Sequence, residues 1–276
     1  MNKKRIHAVI KQLLPPLLLS RLKQSSLLGQ ISFQGDYYSW FEAKKKSKGY
    51  DDNAILEKVT EAVLKVKNAE AAFERDSVVF DSPEYRWPLL SSLLYVSNLK
   101  QRLHVLDFGG SLGSLYFQHK KWFVGLNDFF WGIVEQPHFV EVGKSKFSTS
   151  DLNFFLNANE YVEKRQAPDV VVLSGVLQYL EKPFLILEEM ASFRPDFILI
   201  DRTAFIGKDK DRLTVQHIPA SIYKATYPAW FFSETQFVKR LESMGYWLFD
   251  EFPCDDHVNN WSYYKGFLFK KNEKSA

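Results

Sequence analysis

The spacing of apolar positions along this chain changes once, near residue 100. Before that point Ile55, Val59, Ala62, Val63 and Val66 recur at helical spacing. They predict a helix over residues 52–75, capped by Asp51 or Asp52. A second helix is predicted over 89–99, just after Pro88. No strand is predicted in the first hundred residues, and the lysine-rich stretch 44–49 reads as a solvated loop. Beyond residue 100 short apolar runs take over. Strands are predicted at 102–108, 131–135, 144–149, 169–174 and 197–201, with helices between them, notably at 183–193. A helix at 234–244 then leads to two aromatic-rich segments, 246–249 and 263–270, that suit an antiparallel edge hairpin. Apolar strands alternating with helices predict an α/β fold, a doubly wound and mostly parallel sheet covered on both faces. The expected layout is a helical extension over 1–100 packed on a core domain over 101–276, with an insertion at about 202–232.

Composition narrows the classes. Lysine and arginine number 36 against 33 acids, with no long basic stripe, so nucleic acid is not an expected partner. The single cysteine, Cys254, excludes an intrachain disulfide or a cysteine-rich zinc site and suits a reducing, cytoplasmic setting. Asp255-Asp256-His257 is the one dense run of ligand types and lacks a spaced partner, so no metal is expected. The apolar run at 13–19 is too short to span a bilayer and contains Pro15 and Pro16. It reads as a surface helix or arm, with a weak peripheral membrane contact as the alternative.

The stretch Val105-Leu106-Asp107-Phe108-Gly109-Gly110-Ser111-Leu112-Gly113 supports two readings. Spelled G-x-S-x-G, it is a nucleophile elbow with Ser111 as nucleophile, and a triad of Ser111, Asp201 and His217 or His257 can be written. With the strand before it, it is instead a cofactor loop: an acid at the strand's carboxyl end, then a tight glycine turn into a helix. An elbow needs earlier strands, which the helical first hundred residues do not offer. The cofactor reading also asks for an acid after the second strand to hold a ribose diol, and Glu135 stands there. A nicotinamide oxidoreductase is a third reading, but Tyr223-Lys224 is adjacent rather than spaced as a proton-donor pair would be.

Those residues, with Asp169 to Leu187, resemble class I S-adenosylmethionine-dependent methyltransferases, a Rossmann-like family whose first loop reads acid-x-Gly-x-Gly-x-Gly. Ser111 stands where that pattern has its middle glycine, which keeps a non-catalytic relative in view. More narrowly, Glu74-Arg75-Asp76-Ser77, Leu106 to Gly113, Trp131 to Pro137, Ser174 to Leu180, Ile200 to Thr203 and Tyr223 to Trp230 resemble methyltransferases of bacterial surface-polysaccharide gene neighbourhoods. The resemblance implies S-adenosyl-L-methionine as cofactor, cradled by Asp107, Gly109, Gly110, Ser111 and Gly113, with Glu135 on the ribose. Asp151 and Leu152 would flank the adenine, and Ser174 and Gln178 would face the methyl group. It implies methyl transfer to an oxygen or nitrogen of a small, polar, sugar-linked acceptor. His217 and Asp201 are the candidates for a base. Arg202 would be a fork for an acidic group, and Tyr179, Tyr223, Tyr227 and Trp230 an aromatic wall.

Overall fold

The computed structural model describes residues 31–48, 52–75, 78–82, 85–219, 225–254, 256 and 259–272. The apolar runs beyond residue 100 form strands because alternate residues find cover on opposite faces. In β4 (Leu103–Phe108) Val105 and Leu106 are both fully buried, yet they belong to different hydrophobic clusters. The same holds for Trp131 and Phe130 of β5 (Phe129–Val134) and for Val172 and Val171 of β7 (Val170–Ser174). β6 (Leu152–Phe155) lies beyond β5, and β8 (Phe197–Ile206) beyond β7. Neighbours within this set are parallel. β12 (Tyr263–Lys271) runs antiparallel along the other edge of β8 and pairs with β11 (Tyr246–Pro253). The order β6-β5-β4-β7-β8-β12-β11 reverses direction between β4 and β7, the switch point of a doubly wound sheet.

Helices close both faces. α2 (Asp52–Lys67), α3 (Trp87–Lys100), α4 (Ser114–His119) and α5 (Pro137–Lys146) contribute Val63, Leu93, Tyr116 and Val140 to one cluster. α6 (Ala158–Arg165), α7 (Pro183–Ser192) and α8 (Glu234–Ser243) contribute Tyr161, Leu187 and Phe237 to the other. Each such fully buried side chain is worth about 1.5–3 kcal/mol of transfer free energy.

The structure corrects several sequence-based expectations. Residues 144–149 are not the third strand. Pro137 opens α5 at its first turn, Val140 and Gly143 are buried on its inner face, and the strand begins only at Leu152. The helix at Asp52 stops at Lys67, where Ala69 turns left-handed (φ 61°). The chain then forms a small hairpin, β2 (Phe73–Arg75) with β3 (Val78–Phe80). Lys44, Lys45 and Lys46 lie in a helix, α1 (Trp40–Lys46), capped by the Ser39 side chain. Asp51, the other candidate cap of α2, and the apolar run at 13–19 lie outside the described residues.

The insertion is itself a sheet. β9 (Arg212–Ile218) and β10 (Ala225–Ser233) form an antiparallel ribbon, and β1 (Ser32–Gln34) pairs with β9. The ribbon joins β8 where Phe232 and Ser233 pair with Phe205 and Ile206. β12 already occupies one edge of β8, so β10 takes the edge that β7 leaves free past Ser174. At that departure Asp201 and Arg202 together face Gly266, because the register with β12 shifts between Lys265 and Phe267. This β-bulge puts Arg202 in the left-handed region (φ 48°).

Candidate functional site

The glycine turn sits at the carboxyl end of β4, at the switch point. Three of its residues are left-handed: Gly109 (φ 75°), Ser111 (φ 54°) and Gly113 (φ 95°). Ser111 therefore adopts the backbone a glycine would supply, at a cost of about 1–2 kcal/mol for a residue with a side chain. At Gly110 an added Cβ would meet the Asp107 carboxylate at 2.5 Å, so that position admits no side chain without movement.

Two acids frame the turn. Asp107 is 1% exposed, and Trp131 donates its indole N–H to it at 3.0 Å. Burial pushes its carboxyl up to about 7, against the Trp131 hydrogen bond and with help from the nearby Glu135 charge. Glu135 follows β5 and accepts backbone N–H groups from Ser111 at 3.2 Å and Gln136 at 2.8 Å. Its carboxyl is raised by burial, which outweighs those two bonds. Glu135 thus ties the loop to the end of the second strand. On the outer side Ser114, the first residue of α4, hydrogen-bonds Glu74 of the β2–β3 hairpin.

Asp151 and Leu152 do not reach this end. They precede and begin β6, so they stand at its amino end, opposite the loop. Asp151 accepts from Tyr116 at 3.1 Å and from Ser150, and Leu152 is fully buried in the core. The residues at the carboxyl end of β6 are Leu156, half exposed, and Asn157, which caps α6.

The tips of β7 and β8 form a second cluster. Asp201 is fully buried and accepts from Arg86 through two nitrogens, from Ser174 Oγ at 3.0 Å and from the Cys254 thiol at 3.5 Å. Arg86 also reaches Cys254 Sγ at 3.1 Å. Burial and the Asp201 charge push the Cys254 thiol up to about 12, so it stays protonated at neutral pH. The partner of Asp201 is thus Arg86 and not its neighbour Arg202. The Arg202 fork is closed on Asp256, with Nε at 3.1 Å and a terminal nitrogen at 3.2 Å. Gln178 donates Nε2 to the Arg202 carbonyl at 3.1 Å. Ser174 and Gln178 are therefore turned toward β8.

Of the aromatic wall, Tyr179 and Tyr227 meet edge to face, with ring centroids 5.2 Å apart. Trp230 stacks on Trp40 of α1 at 6.3 Å and donates to the Leu180 carbonyl at 3.1 Å. Its ring is packing, not wall. Tyr223 lies outside the described residues, as does His257. His217 shares a ribbon face with Leu213 and Val215, which pack with Ala43 of α1, so it is turned away from Tyr227. The triad of Ser111, Asp201 and His217 is consequently not assembled. Among the described residues no cluster of three His, Cys, Asp or Glu side chains could hold a metal, and no helix is long and apolar enough to cross a membrane.

Sequence reasoning missed Arg86, Trp131 and Gln216. Arg86 precedes a Trp-Pro helix start and carries no mark of its distant partner, and Trp131 looks like one more apolar strand residue. Gln216, discussed below, sits in a strand read only for its histidine.

No protein-family model and no curated protein matches the sequence. Several solved structures are similar to this chain. Magnesium protoporphyrin IX methyltransferase from Synechocystis, with bound S-adenosylmethionine, is 14% identical over 67% of this chain and 79% of that one, with a TM-score of 0.46. The 1,6-didemethyltoxoflavin N1-methyltransferase of Burkholderia thailandensis is 12% identical over 88% and 96%, with a TM-score of 0.46. The N-terminal domain of EvdMO1 with bound S-adenosylhomocysteine is 12% identical over 81% and 98%, with a TM-score of 0.49. At those levels neither the activities nor the residue roles of these proteins transfer to this chain.

Proposed function

We propose that this chain is an S-adenosylmethionine-dependent methyltransferase acting on an oxygen or nitrogen of a small polar acceptor. The carrying observation is the pair Asp107 and Glu135, held on either side of a left-handed turn at the switch point, with Glu135 tied to that turn by the Ser111 N–H. Two carboxylates suit a ligand with a ribose diol and a positive charge. They do not suit a pyrophosphate, which disfavours a nicotinamide dinucleotide at the same turn.

When bound, the cofactor supplies an electrophilic methyl group on a cationic sulfur. The turn from Gly109 to Gly113 would hold its amino-acid end, with Asp107 below. Glu135 would accept from the ribose, and Leu156 would cover the adenine face in place of Leu152. Asp201, held by Arg86, and Arg202, held by Asp256, serve to fix the strand tips rather than to move protons. Tyr179 and Tyr227 would present ring edges and faces to the acceptor. The finer reading is a sugar or nucleotide-linked sugar acceptor of surface-polysaccharide synthesis, which the sequence resemblance supports.

Calorimetric titration of the purified chain tests this, using S-adenosylmethionine, S-adenosylhomocysteine and, as control, NADH. Micromolar binding of the first two, lost in Asp107→Ala and Glu135→Ala, is the expected result. Folded protein that binds neither, or that prefers NADH, would reject the proposal.

A further inference from the structure

Resting on the methyltransferase reading, a second question is what the acceptor offers chemically. Gln216 faces Tyr227 across the ribbon, and alternation puts both on the face of Phe33 and Phe231. That face packs on Tyr264 and Cys254. Tyr264 in turn lies within electrostatic reach of Tyr179, Arg202 and Asp256. One region therefore gathers Gln178, Tyr179, Gln216, Tyr227 and Tyr264 beside the β8 bulge.

Two buried groups there lack partners. The side-chain oxygens of Gln178 and Gln216 are buried with no hydrogen bond, and the two residues are 3% and 4% exposed. The Gln178 amide cannot simply be turned over, because its nitrogen is fixed on the Arg202 carbonyl. A buried acceptor left bare costs about 1–3 kcal/mol. Here one belongs to the residue before Tyr179 in the chain and the other to the cross-strand partner of Tyr227, and those two tyrosines are in contact. An adjoining cavity of about 530 Å3 has Glu234, Glu251, Asp256 and Lys265 in its wall, so acids outnumber bases. Among the described residues the cations at or beside it are paired: Lys265 with Glu234 and Glu251, Arg202 with Asp256, and Arg86 with Asp201.

We infer that Gln178 and Gln216 are specificity residues of the acceptor pocket, whose side-chain oxygens take hydroxyl or amino donors of a neutral or cationic ring and disfavour an acidic one. Amide oxygens accept and cannot donate, and a carboxylate brought beside them and the acids would meet repulsion, since among the described residues there Lys265 and Arg202 are already paired with acids.

The test uses the full chain without cofactor. Thermal unfolding compares the wild type with Gln216→Met, a swap of similar size. A ligand-binding role predicts an equal or higher melting temperature, since a bare acceptor is removed. A fall of several degrees would make Gln216 structural and overturn the inference. Saturation-transfer NMR then compares methyl α-D-glucopyranoside with the corresponding glucuronide. Signal from the neutral sugar, weak signal from the acid, and roughly tenfold weaker binding in Gln178→Met and Gln216→Met are expected. No signal from the neutral sugar, equal signals from both, or variants that bind like the wild type would overturn it. Because neither arm contains cofactor, failure here is separable from failure of the calorimetric titration.

Discussion

The loop end and the ribbon end of the same sheet are held by different kinds of contact. Asp107 meets Trp131, and Ser111 meets Glu135, across 24 positions in each case, one strand–helix–strand unit. Asp201 meets Arg86 across 115 positions, and Arg202 meets Asp256 across 54. The first arrangement is set within one local unit, by left-handed turns and adjacent parallel strands. The second exists only once the start of α3 and the C-terminal hairpin have docked. A ligand that needs the first alone can bind to a locally complete frame. One that needs the second depends on the whole chain being assembled.

The strongest way to break that contrast is at Arg86. Arg86→Met leaves the buried Asp201 charge without its partner and should cost about 3–5 kcal/mol in urea unfolding. Adding Asp201→Asn should recover much of that loss. A cost under about 1 kcal/mol would mean that the ribbon end does not depend on the distant pair. The next effect is local. Glu135→Ala should weaken cofactor binding by roughly 30–100-fold in calorimetry while changing the urea midpoint little, since only two loop N–H bonds are lost.

Asp107 gives a pH-dependent prediction. Its carboxyl rises from an unfolded value of about 3.9 to about 7 in the fold, chiefly through burial. Between those values the folded state holds a proton that the unfolded state has lost. Stability contributed by this group is therefore full below the unfolded value and falls as pH rises through the folded one. The slope should reach about 1.4 kcal/mol per pH unit and flatten above neutrality. The raised carboxyl of Glu135 acts in the same direction. Urea unfolding at several pH values should show the slope, and Asp107→Asn should remove most of it.

The smallest effect sharpens the loop. Ser111→Gly relieves about 1–2 kcal/mol of left-handed strain but gives back about 0.4–1 kcal/mol through the freer unfolded chain. A melting temperature higher by roughly 2 °C is expected. A fall would show that the Ser111 side chain has a structural partner.

Legibility followed the same contrast. Asp107, the glycine turn and Glu135 could be read from the chain because an apolar run, an acid and turn residues lie in order within one unit. Asp151 and Leu152 were expected after the third strand rather than at its start, because residues 144–149 resemble a strand as well as the end of a helix, and only the packing of Val140 and Gly143 decides between them. The Asp201 environment was not legible, since nothing near Asp201 in sequence announces Arg86 or Cys254. For His217 the strand was unassigned, and a one-residue phase error is enough to send a side chain to the wrong face.

The bulge at Asp201 and Arg202 acts as a phase shifter. β8 is buried along its length except at Arg202 and pairs with both β7 and the ribbon strand β10, and the extra residue resets which face each later side chain joins. Residues 207–211 connect β8 to β9 and can change in number without altering that phase. Removing Arg202 would leave Thr203 onward on its present faces, because Ile200 and Thr203 already face the same way opposite Phe267 and Lys265, and would cost the ion pair with Asp256 instead. A deletion scan across this segment would therefore show tolerance in the connection and, inside the strand, less damage at Arg202 than at the regularly paired residues on either side of the bulge.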